Sequence, residues 1–201
     1  FGGAFSTNAL SVGTHIIKAE VTDSALATGS DSITVTITAT SSGTGPYEQE
    51  SDGTVSIEAE HADVNVLVNG GLWGLIAPAG ASGGQAMEAS INGSPRLEYF
   101  VNFSQTGTYY VWIRSWGSTA QSDSAFFGFD GNWLANTVVM SPRNSWQWEG
   151  PFTINVGIAG VHTLGITRRE SLARVDKIFI GTSPGATPTG TGPAESGRGG
   201  G

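Results

Sequence analysis

The chain has 201 residues, a formal charge of −8 and only 13% charged residues, a length that admits one sizeable sandwich or a domain of about 130 residues with appendages. Lysine occurs only as Lys18 and Lys177, and this acidic balance argues against a nucleic-acid partner, since no basic block is present to release counterions. Cysteine is absent, which removes disulfides, thiolate zinc sites and cysteine nucleophiles, and no run approaches the ~18 apolar residues of a membrane span.

Gly, Ser and Thr are abundant, and the apolar residues come as Val, Ile, Phe, Tyr and Trp in short runs, the composition of an all-β protein. The chain opens on Phe1 without initiator Met or signal peptide, so it is expected to be a monomeric module within a longer, secreted protein.

Residues 1–40 hold two alternating strands. His15, Ile17, Ala19 and Val21 share one face of the first, and Ile33, Val35 and Ile37 one face of the second, with Thr22 to Ser32 as a polar loop. The run from Leu10-Ser11-Val12-Gly13-Thr14-His15 through Val21-Thr22-Asp23 to Ser32-Ile33-Thr34-Val35-Thr36-Ile37 resembles the closing strands of bacterial Ig-like modules of the polycystic-kidney-disease type, a resemblance that covers only the second half of such a module. Residues 41–52, rich in Ser, Thr and Gly, read as a linker, and 184–201, with Pro184, Pro188, Pro193 and a terminal glycine run, as a tail or second linker.

Between them, residues 53–183 carry strand-like runs at Val55 to His61, Gln85 to Ile91, Arg96 to Phe103, Thr108 to Ser115, Ser124 to Phe129, Asn132 to Met140, Phe152 to Val156, Val161 to Thr167 and Val175 to Ile180. Turn signals at Asn69-Gly70-Gly71, Asn92-Gly93 and Asp130-Gly131 separate them. This predicts an all-β β-sandwich of the jelly-roll kind.

The first run, Ser56-Ile57-Glu58-Ala59-Glu60-His61, puts Glu58 and Glu60 on one strand face if it stays extended. Adjacent carboxylates need a metal or an arginine to neutralise them. Asp176, in Arg174-Val175-Asp176-Lys177-Ile178-Phe179-Ile180, shares strand parity with Ile178 and Ile180 and would be costly on a core face unless coordinated. First and last strands are therefore expected to meet at one structural calcium ion held by Glu58, Glu60 and Asp176, with carbonyl donors sought in the loop Asn65 to Gly74.

The runs Ser56-Ile57-Glu58-Ala59-Glu60, Gly107-Thr108-Tyr109-Tyr110-Val111-Trp112-Ile113-Arg114, Gly160-Val161-His162-Thr163-Leu164 and Val175-Asp176-Lys177-Ile178, in that order, resemble carbohydrate-binding modules related to families 6 and 35. Those are galactose-binding-like β-sandwiches attached to polysaccharide-degrading enzymes. The resemblance implies the same calcium ligands. The chain departs from the Arg-Glu-Asp-Gly turn of related modules, with Arg169-Glu170-Ser171-Leu172 in its place.

Aromatic residues in loops are the natural stacking surface for a sugar. Trp116 follows a strand, Trp146 lies with Trp148 in Ser145-Trp146-Gln147-Trp148-Glu149, Trp73 sits between glycines, and Trp133 follows Asp130-Gly131. Trp112, inside a strand, reads as packing. The ligand set expected here is Trp73, Trp116, Asp123, Trp146, Arg169 and Glu170, with guanidinium and carboxylates gripping hydroxyls.

Glu58 and Glu60 are too close to straddle a glycosidic bond, and His15, His61 and His162 are scattered outside any nucleophile or metal motif. No catalytic residue is expected. The reading is a non-catalytic module that targets a secreted polysaccharide-degrading protein, a glycoside hydrolase or polysaccharide lyase, to a plant or algal polysaccharide. The alternative is a structural, adhesive spacer of a surface protein.

Overall fold

A computed structural model describes residues 13–22, 24, 27–37 and 43–200, and the chain divides into two compact units, 1–40 and 41–201. In the first unit, β1 (Gly13–Thr22) and β2 (Thr28–Ile37) form an antiparallel hairpin in the register Gly13 to Ile37 and Thr22 to Thr28. The second strand therefore begins earlier than the polar loop predicted up to Ser32. Val21 and Ile33 are exposed, so the expected apolar face is uncovered at these positions, while the side chains of His15, Val35 and Ile37 lie outside the described residues.

The second unit is a β-sandwich. One sheet runs β11 (Asn132–Val139), β10 (Ser124–Phe129), β13 (Gly160–Arg168), β8 (Arg96–Phe103) and β3 (Tyr47–Glu48), with β5 (Val64–Val66) also on β8. The other runs β12 (Gln147–Val156), β9 (Gly107–Trp116), β14 (Arg174–Gly181), β7 (Ala86–Ala89) and β6 (Trp73–Ile76), with β4 (Val55–Glu58) also on β14. Alternation places the core: Leu97, Tyr99, Val101 and Phe103 from β8 meet Val111 and Ile113 from β9 and Ile178 and Ile180 from β14.

Two strands are buried on both faces. In β9 the core face is Tyr109, Val111 and Ile113, yet Trp112 and Arg114 on the opposite face are also buried. In β14, Lys177 and Phe179 are likewise buried opposite Ile178 and Ile180.

Residues 184–200, read from composition as a tail, dock on the sandwich and help cover this second face. Ser196 N–H donates to the Ser56 carbonyl at 2.8 Å, and Ser56 N–H donates to Ser196 Oγ at 3.0 Å. Glu195 Oε1 accepts from Tyr47 Oη at 2.9 Å and from Glu58 N–H at 3.0 Å. Arg198 donates to Asp63 Oδ1 at 2.5 Å and stacks over the Tyr47 ring at 3.8 Å. The strap lacks an apolar period, and its anchors are backbone groups and the side chains of Glu195, Ser196 and Arg198.

Candidate functional site

Three loops meet at one rim of the sandwich, and backbone hydrogen bonds fix them together. Met140 N–H reaches the Asp123 carbonyl at 2.8 Å, Asn144 N–H the Gly117 carbonyl at 2.8 Å, and Glu170 N–H the Ser124 carbonyl at 3.2 Å. Gly117 is required by this closeness, since a Cβ there would lie 2.6 Å from the Asp123 side chain. Trp116, at the end of β9, and Trp146, from the β11–β12 loop, are half-buried and meet with ring centroids 5.5 Å apart and planes at 63°. Trp146 is fixed further by Nε1–H to the Ala79 carbonyl at 3.1 Å and by the Arg114 guanidinium 5.2 Å from its ring centroid.

Charged groups fringe the two indoles. Asp123 accepts from Arg143 Nε at 2.5 Å and donates its own N–H to Glu170 Oε2 at 3.0 Å. Arg169 donates to Ser124 Oγ at 2.7 Å and to Glu170 Oε1 at 3.3 Å, and its side chain stays 45% exposed. Five of the six expected ligand residues thus gather in one neighbourhood: Trp116, Asp123, Trp146, Arg169 and Glu170. Arg143 was not singled out from sequence, where it carries no signal beyond its place in a Pro-containing turn. Flat apolar rings beside guanidinium donors and carboxylate acceptors suit a ligand that presents both C–H faces and hydroxyls.

Trp73 does not belong to this set. It is 2% exposed, packs in the core, and donates Nε1–H to the Pro95 carbonyl at 3.0 Å, while the Asn65 amide bridges its backbone. Its flanking glycines mark a strand edge, not a loop tip. Trp133 lies against the Arg96 guanidinium, 4.4 Å from its centroid. Trp148 is half-buried like Trp146, and donates to the Gly190 carbonyl of the strap at 3.1 Å.

The expected meeting of first and last strands is present, with Glu58 opposite Lys177 in the β4–β14 register. Trp148, Arg114, Lys177 and Glu58 form one row across β12, β9, β14 and β4 on the face away from the core. Lys177 Nζ donates to Glu58 Oε1 at 2.7 Å and to Ser82 Oγ at 3.2 Å, and Ser82 Oγ–H donates to the same Glu58 oxygen at 2.7 Å. Arg114 Nη1 donates to Asp176 Oδ2 at 2.5 Å, and Ser82 N–H to Asp176 Oδ1 at 2.8 Å.

Glu60 is not on the strand. It lies in a 3-10 turn, Ala59–His61, because β4 ends at Glu58, so the two acids do not share a strand face. The loop that closes on them is residues 79–84, in place of Asn65 to Gly74. Arg114 Nη1 donates to the Gly80 carbonyl at 3.1 Å, and a Cβ at Gly83 would lie 3.6 Å from Glu60 Oε1. Asp176 also departs from the expected parity with Ile178 and Ile180, since the β14–β9 register shifts between Val175 and Lys177.

Burial pushes the Glu60 carboxyl up to about 7, and the charges of Glu58 and Asp176 add to the rise against a lowering backbone hydrogen bond. Burial also raises Asp176, against the downward pull of Arg114. Glu58 Oε2 and Glu60 Oε2 are buried without a hydrogen-bond partner. Their donor chemistry fits a hard cation, although among the described residues no three His, Cys, Asp or Glu side chains converge as a ready metal cage.

No protein-family model matches the chain. One curated relative, Uncharacterized protein P23 of Formosa agariphila, is 25% identical over 113 residues, which are 48% of this chain and 27% of that protein, so the chain spans about a quarter of its length. Among solved structures, a family 35 carbohydrate-binding module from Clostridium thermocellum is similar with TM-score 0.52 and 18% identity, over 65% of this chain and 98% of that one. The Podospora anserina GH26-CBM35 β-(1,4)-mannanase gives TM-score 0.52 and 20% identity over 68% of this chain and 29% of that chain. A CBM35 module from Cellvibrio japonicus gives TM-score 0.51 and 14% identity over 64% of this chain and 94% of that chain. The all-β sandwich of this chain is the fold of a family 35 carbohydrate-binding module.

Proposed function

We propose that the sandwich, from β3 through the docked C-terminal strap, acts as a non-catalytic carbohydrate-binding module, and that the loop rim carrying Trp116 and Trp146 is where the sugar sits. The observation that carries the reading is the convergence of these two indoles with Arg143, Asp123, Arg169 and Glu170 on a sandwich of this fold. Stacking supplies the apolar contact, and charge-assisted hydrogen bonds select hydroxyls or an acidic substituent. The module would serve a secreted, multi-modular polysaccharide-degrading protein by holding it on a plant or algal polysaccharide, with the β1–β2 hairpin belonging to a neighbouring Ig-like module.

A calcium ion held by Glu58, Glu60 and Asp176 is part of the proposal, supported by the two buried, unpartnered carboxylate oxygens. When bound, it would supply positive charge to a cluster rich in carboxylates.

The test is a glycan array with affinity gels containing plant and marine-algal polysaccharides, run beside sugar-release assays. Retardation without release is the expected result. Release by the isolated chain would make it an enzyme, and no binding to any glycan would favour an adhesive spacer.

A further inference from the structure

The charged row on the covered face of β14 holds a cation of its own. Lys177 is 2% exposed, and its ammonium is fixed at both ends of its reach, to Glu58 Oε1 and to Ser82 Oγ. Its stem is hemmed in as well, since a Cβ at Gly192 of the strap would lie 3.7 Å from Lys177 Cδ. Glu58, itself 9% exposed, keeps Oε2 buried and unpartnered, as Glu60 does. Both Asp176 oxygens are taken by Arg114 and Ser82. A doubly charged ion arriving at Glu58 would face the ammonium at close range, and like charges repel strongly where water is excluded.

We propose that the Lys177 ammonium is the resident cation of this cluster, taking the place beside Glu58 that a divalent ion would fill, so that the module keeps its fold without metal and calcium binds only in competition with the lysine. The inference rests on the calcium reading solely for the identity of the competing ion. It makes Lys177, one of two lysines in the chain, the residue that sets metal dependence.

The test compares the whole chain with Lys177→Met, both titrated with calcium chloride by isothermal calorimetry and melted with and without chelator after long incubation. Lys177→Met is expected to bind calcium more tightly than the parent by about tenfold or more, and to melt lower in chelator while the parent does not. Should Lys177→Met fold only in the presence of calcium, that too supports the proposal. A second variant, Glu58→Gln with Lys177→Met, removes both charges and should fold in chelator and give no calcium heat. Equal calcium affinity in parent and Lys177→Met would overturn the inference and leave the calcium reading standing. Absence of binding to both would sink the two together, and undiminished binding by the double variant would show that the ion sits away from Glu58.

Discussion

Trp116 and Trp146 touch edge to face although 30 residues separate them in sequence, one delivered by the end of β9 and the other by the β11–β12 loop. An edge-to-face pair leaves ring surface open on one side, where a sugar can stack. Trp116→Ala and Trp146→Ala should each weaken glycan binding by about 1 to 3 kcal/mol in titration calorimetry. Trp73→Ala is the contrasting variant, expected to lose about 3 to 5 kcal/mol of stability in urea denaturation as a large core residue. If both rim variants bind like the parent, the sugar sits elsewhere.

Arg198 joins the strap to the sandwich through Asp63, and both side chains are about nine-tenths buried. Removing one partner of such a pair leaves the other charge uncompensated. Arg198→Ala should therefore cost roughly 3 kcal/mol, with the Tyr47 stacking lost as well. An unchanged urea midpoint would mean that the strap contributes nothing to stability.

His162 faces an acceptor at each ring nitrogen, Asp130 Oδ2 at 2.6 Å from Nδ1 and the Ile158 carbonyl at 2.7 Å from Nε2. Only the doubly protonated ring donates to both. Burial alone would lower its pKa, but the hydrogen bonds and the charge of Asp130 raise it above the usual histidine value. The folded state therefore holds the proton more tightly than the unfolded chain. This contribution to stability is full below the ordinary value of about 6.5 and is lost as pH climbs through the raised value. The stability difference between parent and His162→Phe should accordingly shrink with rising pH, and a difference that is flat across pH would contradict this.

Leu172 sits at φ +61°, in the Arg169-Glu170-Ser171-Leu172 turn where related modules carry glycine. A left-handed leucine costs roughly 1 to 2 kcal/mol, partly offset by the entropy that glycine would lose on folding. Leu172→Gly should raise stability by up to about 1 kcal/mol. A clear fall in the urea midpoint would show that the leucine side chain packs usefully despite its backbone.

Much of the sandwich was legible because one face of each strand is core. In β8 the alternation of Leu97, Tyr99, Val101 and Phe103 with polar or half-buried residues matched the predicted run Arg96 to Phe103. β12 began earlier than the predicted Phe152 because Gly150-Pro151 interrupts the pattern, and the structure absorbs it as a register shift between Glu149 and Phe152. The residue types of the rim were legible, but the contact of Trp116 with Trp146 depends on loop closure that no local pattern encodes. The acids were legible too. Their ion-pair partners were not, because Arg114 and Lys177 reach Asp176 and Glu58 only through the alignment of β9 and β4 on β14.

The chain enters and leaves this module along one antiparallel seam. Gly45 N–H bonds to the Gly199 carbonyl at 3.2 Å, Gly199 N–H to the Pro46 carbonyl at 2.9 Å, and Glu48 N–H to the Gly197 carbonyl at 2.8 Å. Tension pulling the two chain directions apart meets these bonds one at a time, as a zipper does, and reaches the pair nearest the ends first. We expect the seam and strap to peel away at low force while the sandwich stays folded, releasing slack of about 3.3 to 3.6 Å for each freed residue. Single-molecule stretching from both ends should then record a small early step before the main rupture, and a variant that staples the seam should lack it.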